Sequence, residues 1–141
     1  MRHFGTALAV MSVAVLAVGC ASSDQTATSP PRGTSLSIVV DDGGQSSWTL
    51  QCDPPDGTHP NPSEACEFLA EATVDGDDPF QPVDPETICA AVFSGAQTAT
   101  VTGTWNGKQV DTKFKRTNSC ETARWDAALP LLAFTGATSG P

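Results

Sequence analysis

The sequence contains no tyrosine and only two histidines, one of them at position 3. Its stock of side chains for acid–base catalysis is therefore thin. Basic residues are also scarce: 7 Lys and Arg stand against 16 Asp and Glu, for a formal net charge of −9. That balance argues against a nucleic-acid partner, because neutralising phosphates needs clustered Lys and Arg. No Cys-x-x-Cys spacing occurs, and the histidine outside the N-terminal segment, His59, cannot complete a usual zinc set, so neither a metal nor a cofactor is expected. His59 reads as a structural loop residue, since no nucleophile motif lies near it. Residues 75–86 carry Asp75, Asp77 and Glu86 in faint imitation of a calcium loop. Phe80 stands where that loop needs glycine, so the segment reads as a solvated acidic loop.

What is present is an odd number of cysteines, five in 141 residues. A leftover sulfur normally means a free thiol or an intermolecular bridge. The N-terminus offers a different answer. A short basic start, Met1-Arg2-His3, precedes an apolar run over residues 7–18, and Gly19-Cys20 and a polar stretch follow. The pattern is that of a secretory signal, and the run is short for a membrane span. Leu16-Ala17-Val18-Gly19-Cys20 resembles a bacterial lipobox, in which a signal peptidase cuts before a lipidated cysteine. Residues 1–19 are thus expected to be a lipoprotein signal peptide. Cys20 is expected to carry the lipid (palmitate among its chains), and the mature protein to sit on the outer face of the cell membrane. Cys52, Cys66, Cys89 and Cys120 then remain, an even set that implies two disulfides with three possible pairings.

Residues 20–33 are small, polar and proline-containing and read as a tether. The folded domain is expected over residues 34–134, with a disordered tail over 135–141. Leu36, Ile38 and Val40 alternate with their neighbours, as do Trp48, Leu50 and Cys52, and residues 41–44 between them are turn formers. This predicts a β-hairpin. Residues 53–62 read as loop. Pro62 suits the first position of a helix capped by Asn61, and Ala65, Phe68, Leu69 and Ala72 form its apolar stripe. Asn106-Gly107 is the strongest short hairpin signal. It places Trp105 opposite Lys108, Gly103 opposite Val110 and Val101 opposite Thr112. Ala99, Val101, Trp105, Val110 and Phe114 then share a buried face, and the threonine-rich opposite face is polar. Asn118 or Ser119 caps a second helix that runs to about Leu129 and is ended by Pro130, with residues 131–134 as a last edge strand. Residues 89–93, Cys-Ala-Ala-Val-Phe, are apolar and follow a proline-rich loop, and periodicity alone does not exclude a short buried strand there.

Several of these segments together are similar to the Streptomyces subtilisin inhibitor family. They are Gly57-Thr58-His59-Pro60 with Ala65-Cys66, then Cys89-Ala90-Ala91-Val92-Phe93, then residues 102–108, then Asn118-Ser119-Cys120-Glu121, matching in order and spacing. The lipobox suggests a membrane-anchored branch. The resemblance implies an α+β fold, a five-stranded antiparallel sheet with two helices packed on one face, and the pairings Cys52–Cys66 and Cys89–Cys120. It implies a protein that is no enzyme but an inhibitor of serine proteases, offering a substrate-like loop of Ile88, Cys89, Ala90, Ala91, Val92 and Phe93. The bond presented is Ala91-Val92, and Asn118 supports the loop from behind.

Ala90 and Ala91 depart from the pattern, since many members carry proline or threonine at the first position and methionine or lysine at the second. A small residue at position 91 points to subtilisin-like or elastase-like targets and away from trypsin-like ones. It also motivates a second reading, a non-inhibitory cell-surface binding module that keeps the inhibitor fold. Family members often form homodimers through the sheet, which the polar face here neither demands nor forbids.

Overall fold

The computed structural model describes residues 33–134, so the signal, Cys20, the tether and the tail lie outside the described residues. Five strands are present: β1 (Thr34–Asp41), β2 (Gln45–Cys52), β3 (Asp56–Gly57), β4 (Gly95–Trp105) and β5 (Lys108–Arg116). They form one sheet in the order β3-β2-β1-β4-β5, and every neighbouring pair is antiparallel. Three helices follow the chain: α1 (Pro62–Asp75), α2 (Ser119–Ala127) and the single turn α3 (Leu129–Leu132). None of these helices is long and apolar enough to cross a membrane.

The alternation read from the sequence governs the sheet. Leu36, Ile38 and Val40 from β1, Leu50 from β2, Ala99, Val101 and Trp105 from β4, and Val110 and Phe114 from β5 are all buried. They meet Ala65 and Leu69 of α1, Trp125 of α2, and Leu131 and Leu132 of α3 in one core. The helices cover one face of the sheet, and Ser37, Thr49, Thr102 and Asp111 line up across the strands on the other. The register of β4 and β5 is the one that Asn106-Gly107 predicts, with Trp105 opposite Lys108 and Gly103 opposite Val110. Asn106 and Gly107 both have positive φ, 49° and 79°, as a two-residue hairpin turn requires. Gly103 answers to close approach: a Cβ there would collide with the Ser35 carbonyl oxygen of the adjoining strand.

The structure corrects three local expectations. Residues 131–134 are not an edge strand. Leu129–Leu132 forms α3, with Pro130 in its first turn, where a missing N–H costs nothing. The fifth strand is instead Asp56–Gly57, inside the segment read as loop, paired with Leu50 and Gln51 of β2. Asn61 stands at the N-cap of α1 but makes no side-chain cap bond. Its N–H donates to Nδ1 of His59, whose Nε2 lies 2.9 Å from the Leu131 carbonyl oxygen. With Nδ1 accepting, Nε2 donates, so the buried imidazole ties the start of α1 to α3. Residues 89–93, where the pattern left a buried strand open, form no strand, and Val92 and Phe93 are 55% and 66% exposed.

The register also sets the two ends of the sheet. Thr34 pairs with Cys52 and lies by Asn106 at one end. Asp41 pairs with Thr98 at the other, which is where β4 begins and where the exposed segment before Gly95 sits.

Candidate functional site

Between α1 and β4 the chain runs 19 residues without a strand or helix, from Gly76 to Ser94. Loops of this length in compact domains are usually functional or unstructured. This one is held at several points. Gly76 takes a left-handed conformation at the end of α1, and the Asp77 N–H donates to the Ala72 carbonyl, satisfying part of the helix end. Phe80 then turns inward and is buried against Trp105, the two rings meeting edge-on with centroids 5.4 Å apart.

Arg124 of α2 seals that anchor. Its guanidinium lies 4.1 Å above the Phe114 ring and donates to the carbonyls of Lys113 and Phe80 and to Thr112 Oγ1, at 2.9, 3.1 and 2.6 Å. Burial lowers the Arg124 pKa from its ordinary value, while the charges of Glu121 and Asp78 pull it back up. Glu121 Oε2 stands 3.7 Å from the guanidinium. Arg124 thus joins the acidic loop, β5 and α2 through one planar group.

Past Phe80 the backbone reaches a turn at Asp84, whose carboxylate accepts the Glu86 N–H and whose carbonyl accepts the Thr87 N–H. The next residue, Ile88, is 99% exposed. Cys89 follows, bonded to Cys120 in the first turn of α2, and Cys52 is bonded to Cys66. The two disulfides are those implied by the family resemblance. Ala90 is gripped from both sides by Ser119. Its N–H donates to Ser119 Oγ at 2.9 Å and its carbonyl accepts the Ser119 N–H at 3.0 Å. The same carbonyl accepts the Val92 N–H at 2.8 Å, closing a three-residue turn over Ala91. Ala91 is not among the residues with positive φ, so the turn is of the unstrained inverse kind and puts Ala91 at a convex apex. Beyond the apex Val92 and Phe93 point to solvent, and Ser94 returns to the sheet by donating to the Arg116 carbonyl at 2.8 Å.

The structure therefore brings Ile88, Cys89, Ala90, Ala91, Val92 and Phe93 into one exposed arch with fixed feet. Asn118 serves this arch through the helix. Its Oδ1 accepts the Glu121 N–H and so caps α2, while the direct bonds to the loop come from its neighbour. The sequence marks Ser119 only as a cap and carries no pattern that singles out Phe80 and Arg124 as anchors. A lone aromatic in a polar, proline-rich stretch was the one available signal for Phe80. Among the described residues no group of three or more His, Cys, Asp or Glu side chains is placed to hold a metal ion. An arch with exposed apolar side chains, stapled beside its apex, is suited to being held in another protein's groove.

Comparison with known proteins agrees on the kind of domain. The subtilisin inhibitor-like family matches residues 32–119. Subtilisin inhibitor-like protein 1 of Streptomyces cacaoi is 34% identical over 93 residues, covering 64% of this chain and 82% of the relative. A putative serine protease inhibitor of Streptomyces avermitilis is 32% identical over 112 residues, 77% of this chain and 73% of the relative. A subtilase-type protease inhibitor of Streptomyces fradiae is 37% identical over 73 residues, with 51% of this chain and 50% of the relative covered. Among solved structures, Streptomyces caespitosus sermetstatin in complex with Bacillus licheniformis subtilisin is similar at 26% identity. The likeness spans 72% of this chain and 99% of that one, with a TM-score of 0.49.

Proposed function

This chain belongs to the subtilisin inhibitor-like family, a family of protease inhibitors and not of enzymes, and on that premise we propose that it inhibits a subtilisin-like serine protease through the arch over residues 88–93, with Ala91-Val92 as the bond presented. The observation that carries the reading is the exposed apex at Ala91, with Cys89 stapled to Cys120 two residues before it.

The physical reason is one of ordering. A flexible substrate loses conformational entropy each time it settles into a protease cleft. A segment already fixed by a disulfide and by hydrogen bonds at its feet avoids most of that cost. If the bond is cut, the new ends stay side by side. Cys89 remains tied to α2 and Ser94 to β5, so religation competes with release. Ala91 enters the primary pocket, and its methyl fits a small or shallow pocket, as in subtilisin-like or elastase-like proteases. Ile88 fills a second apolar pocket, and Phe93 packs on the leaving-group side. We propose further that the lipobox places lipid on Cys20 and holds the inhibitor at the outer face of the cell membrane.

The test is titration of the purified protein against subtilisin, with Ala91→Asp as the control. Stoichiometric inhibition that Ala91→Asp abolishes is the expected result. No inhibition at micromolar protein would overturn the reading, and rapid cutting at Ala91-Val92 without a persistent complex would favour the binding module. For the anchor, the intact protein is expected in the membrane fraction, and Cys20→Ser is expected to lose the lipid and leave it. An unlipidated wild type would overturn this part.

A further inference from the structure

Alternate backbone groups of an extended segment point in opposite directions. In the arch this rule decides which groups are left for a partner. Ala90 turns both its N–H and its carbonyl inward to Ser119, and the amide is bonded there to a side chain and not to the sheet. Ala90 is itself exposed, so with that hydroxyl removed its amide would face water. Alanine at this position brings no stiffness of its own, unlike a proline, which has a fixed φ and no amide hydrogen to satisfy. The rigidity of the residue before the apex therefore has to come from outside the loop, and the contact that supplies it at 2.9 Å is the hydroxyl of Ser119.

Ser119 is well placed to do this without serving its helix. It is the first residue of α2, whose N-cap bond is made by Asn118. Its hydroxyl is free of capping duty and its N–H is one that an α-helix leaves unpaired at its start. Both groups are spent on Ala90. Cys120, next in sequence, holds Cys89 by the disulfide, so two consecutive residues of α2 grip two consecutive residues of the loop.

We propose that Ser119 is a positioning residue for the arch: its hydroxyl and amide clamp Ala90, and this clamp decides whether the Ala91-Val92 bond is presented as an inhibitor or surrendered as a substrate. The proposal rests on the inhibitory reading given above. It adds that the small, flexible residue at position 90 is compatible with inhibition only while Ser119 holds it.

A graded series tests it in the full-length protein. Ser119→Thr keeps the hydroxyl. Ser119→Ala removes it and leaves the N–H. Ser119→Pro removes both the accepting hydroxyl and the donating N–H, yet suits the helix, since proline is favoured at its first position and Asn118 is already extended (φ −154°, ψ 174°). Ala90→Pro added to Ser119→Ala removes the amide that the hydroxyl had to satisfy.

Three quantities are read: amide hydrogen exchange at Ala90, the rate of Ala91-Val92 hydrolysis by subtilisin, and the inhibition constant, with thermal unfolding as the check on the fold. Loss of a hydrogen bond of about 1.4 kcal/mol corresponds to about a tenfold change. Ser119→Ala is therefore expected to speed exchange and hydrolysis about tenfold and to weaken inhibition similarly. Ser119→Pro should do more, Ser119→Thr should behave as wild type, and Ala90→Pro should restore resistance to cutting. Exchange and hydrolysis unchanged in both Ser119→Ala and Ser119→Pro would overturn the proposal, as would an equal effect of Thr and Ala. If the wild type neither inhibits nor is cut, the inhibitory reading fails. In that case exchange at Ala90, which needs no protease, still decides whether Ser119 clamps it.

Discussion

Phe80 meets Trp105 edge-on, ring centroid to ring centroid at 5.4 Å, and so fixes the first third of the long loop to the sheet eight residues before the exposed arch begins. The loop is thereby divided into a buried foot and a solvent-facing part, and each can be perturbed by itself.

Phe80→Ala is expected to cost about 3 kcal/mol of stability, near the lower end for a buried Phe truncation, because Trp105 and Phe114 are already held by the core. Denaturant unfolding reads the loss. Limited proteolysis should at the same time reveal new cuts over residues 76–87. Phe80→Leu should retain most of the stability.

Arg124→Lys separates charge from shape. A lysine keeps the charge opposite Glu121, but one ammonium cannot reach Lys113, Phe80 and Thr112 in the fork that the guanidinium makes. A loss of about 1 kcal/mol is expected, since the Phe80 and Thr112 acceptors are only partly buried and the Lys113 carbonyl is exposed. A lysine variant as stable as wild type would show that the acceptors find other partners.

The two disulfides should differ in kind. Loop-closure entropy assigns about 4 kcal/mol to Cys89–Cys120, with a separation of 31, and about 3 kcal/mol to Cys52–Cys66, with a separation of 14. Paired Cys-to-Ser replacements measured by denaturant unfolding check the ordering. Removing Cys89–Cys120 should also turn the protein into a readily cut substrate of subtilisin. Removing Cys52–Cys66 should leave resistance to cutting largely intact at temperatures where the fold persists.

The sheet was legible because its information is local. Alternation in residues 36–40 and 99–114 and the Asn106-Gly107 turn fix face and register together. A two-residue strand at Asp56–Gly57 is too short to carry a period, and four apolar residues at 131–134 fit a strand or a helical turn equally well. Pro130 suits a helix start as well as a helix end, so it does not decide between them. The arch was the hardest part to read by pattern. Cys-Ala-Ala-Val-Phe has the composition of a core strand, and only the family resemblance marked it as a surface loop. The Ser119 clamp and the Arg124 fork depend on partners 29 and 44 residues distant in the chain, beyond the reach of any local pattern.

The antiparallel pairing of β1 with β4 gives the domain a handle and a tip. The handle is Thr34, where the sheet begins, and the tip is the arch that leads into Gly95. The eight residues of β1 lie between them, about 26 Å at the usual rise of a strand. Thr34 thus enters the sheet at the end remote from the arch over residues 88–93. A bulky fusion placed before Thr34 should leave the tip accessible, whereas the same cargo spliced into the turn at Gly43, beside Ala96 and Gln97, would stand at its foot.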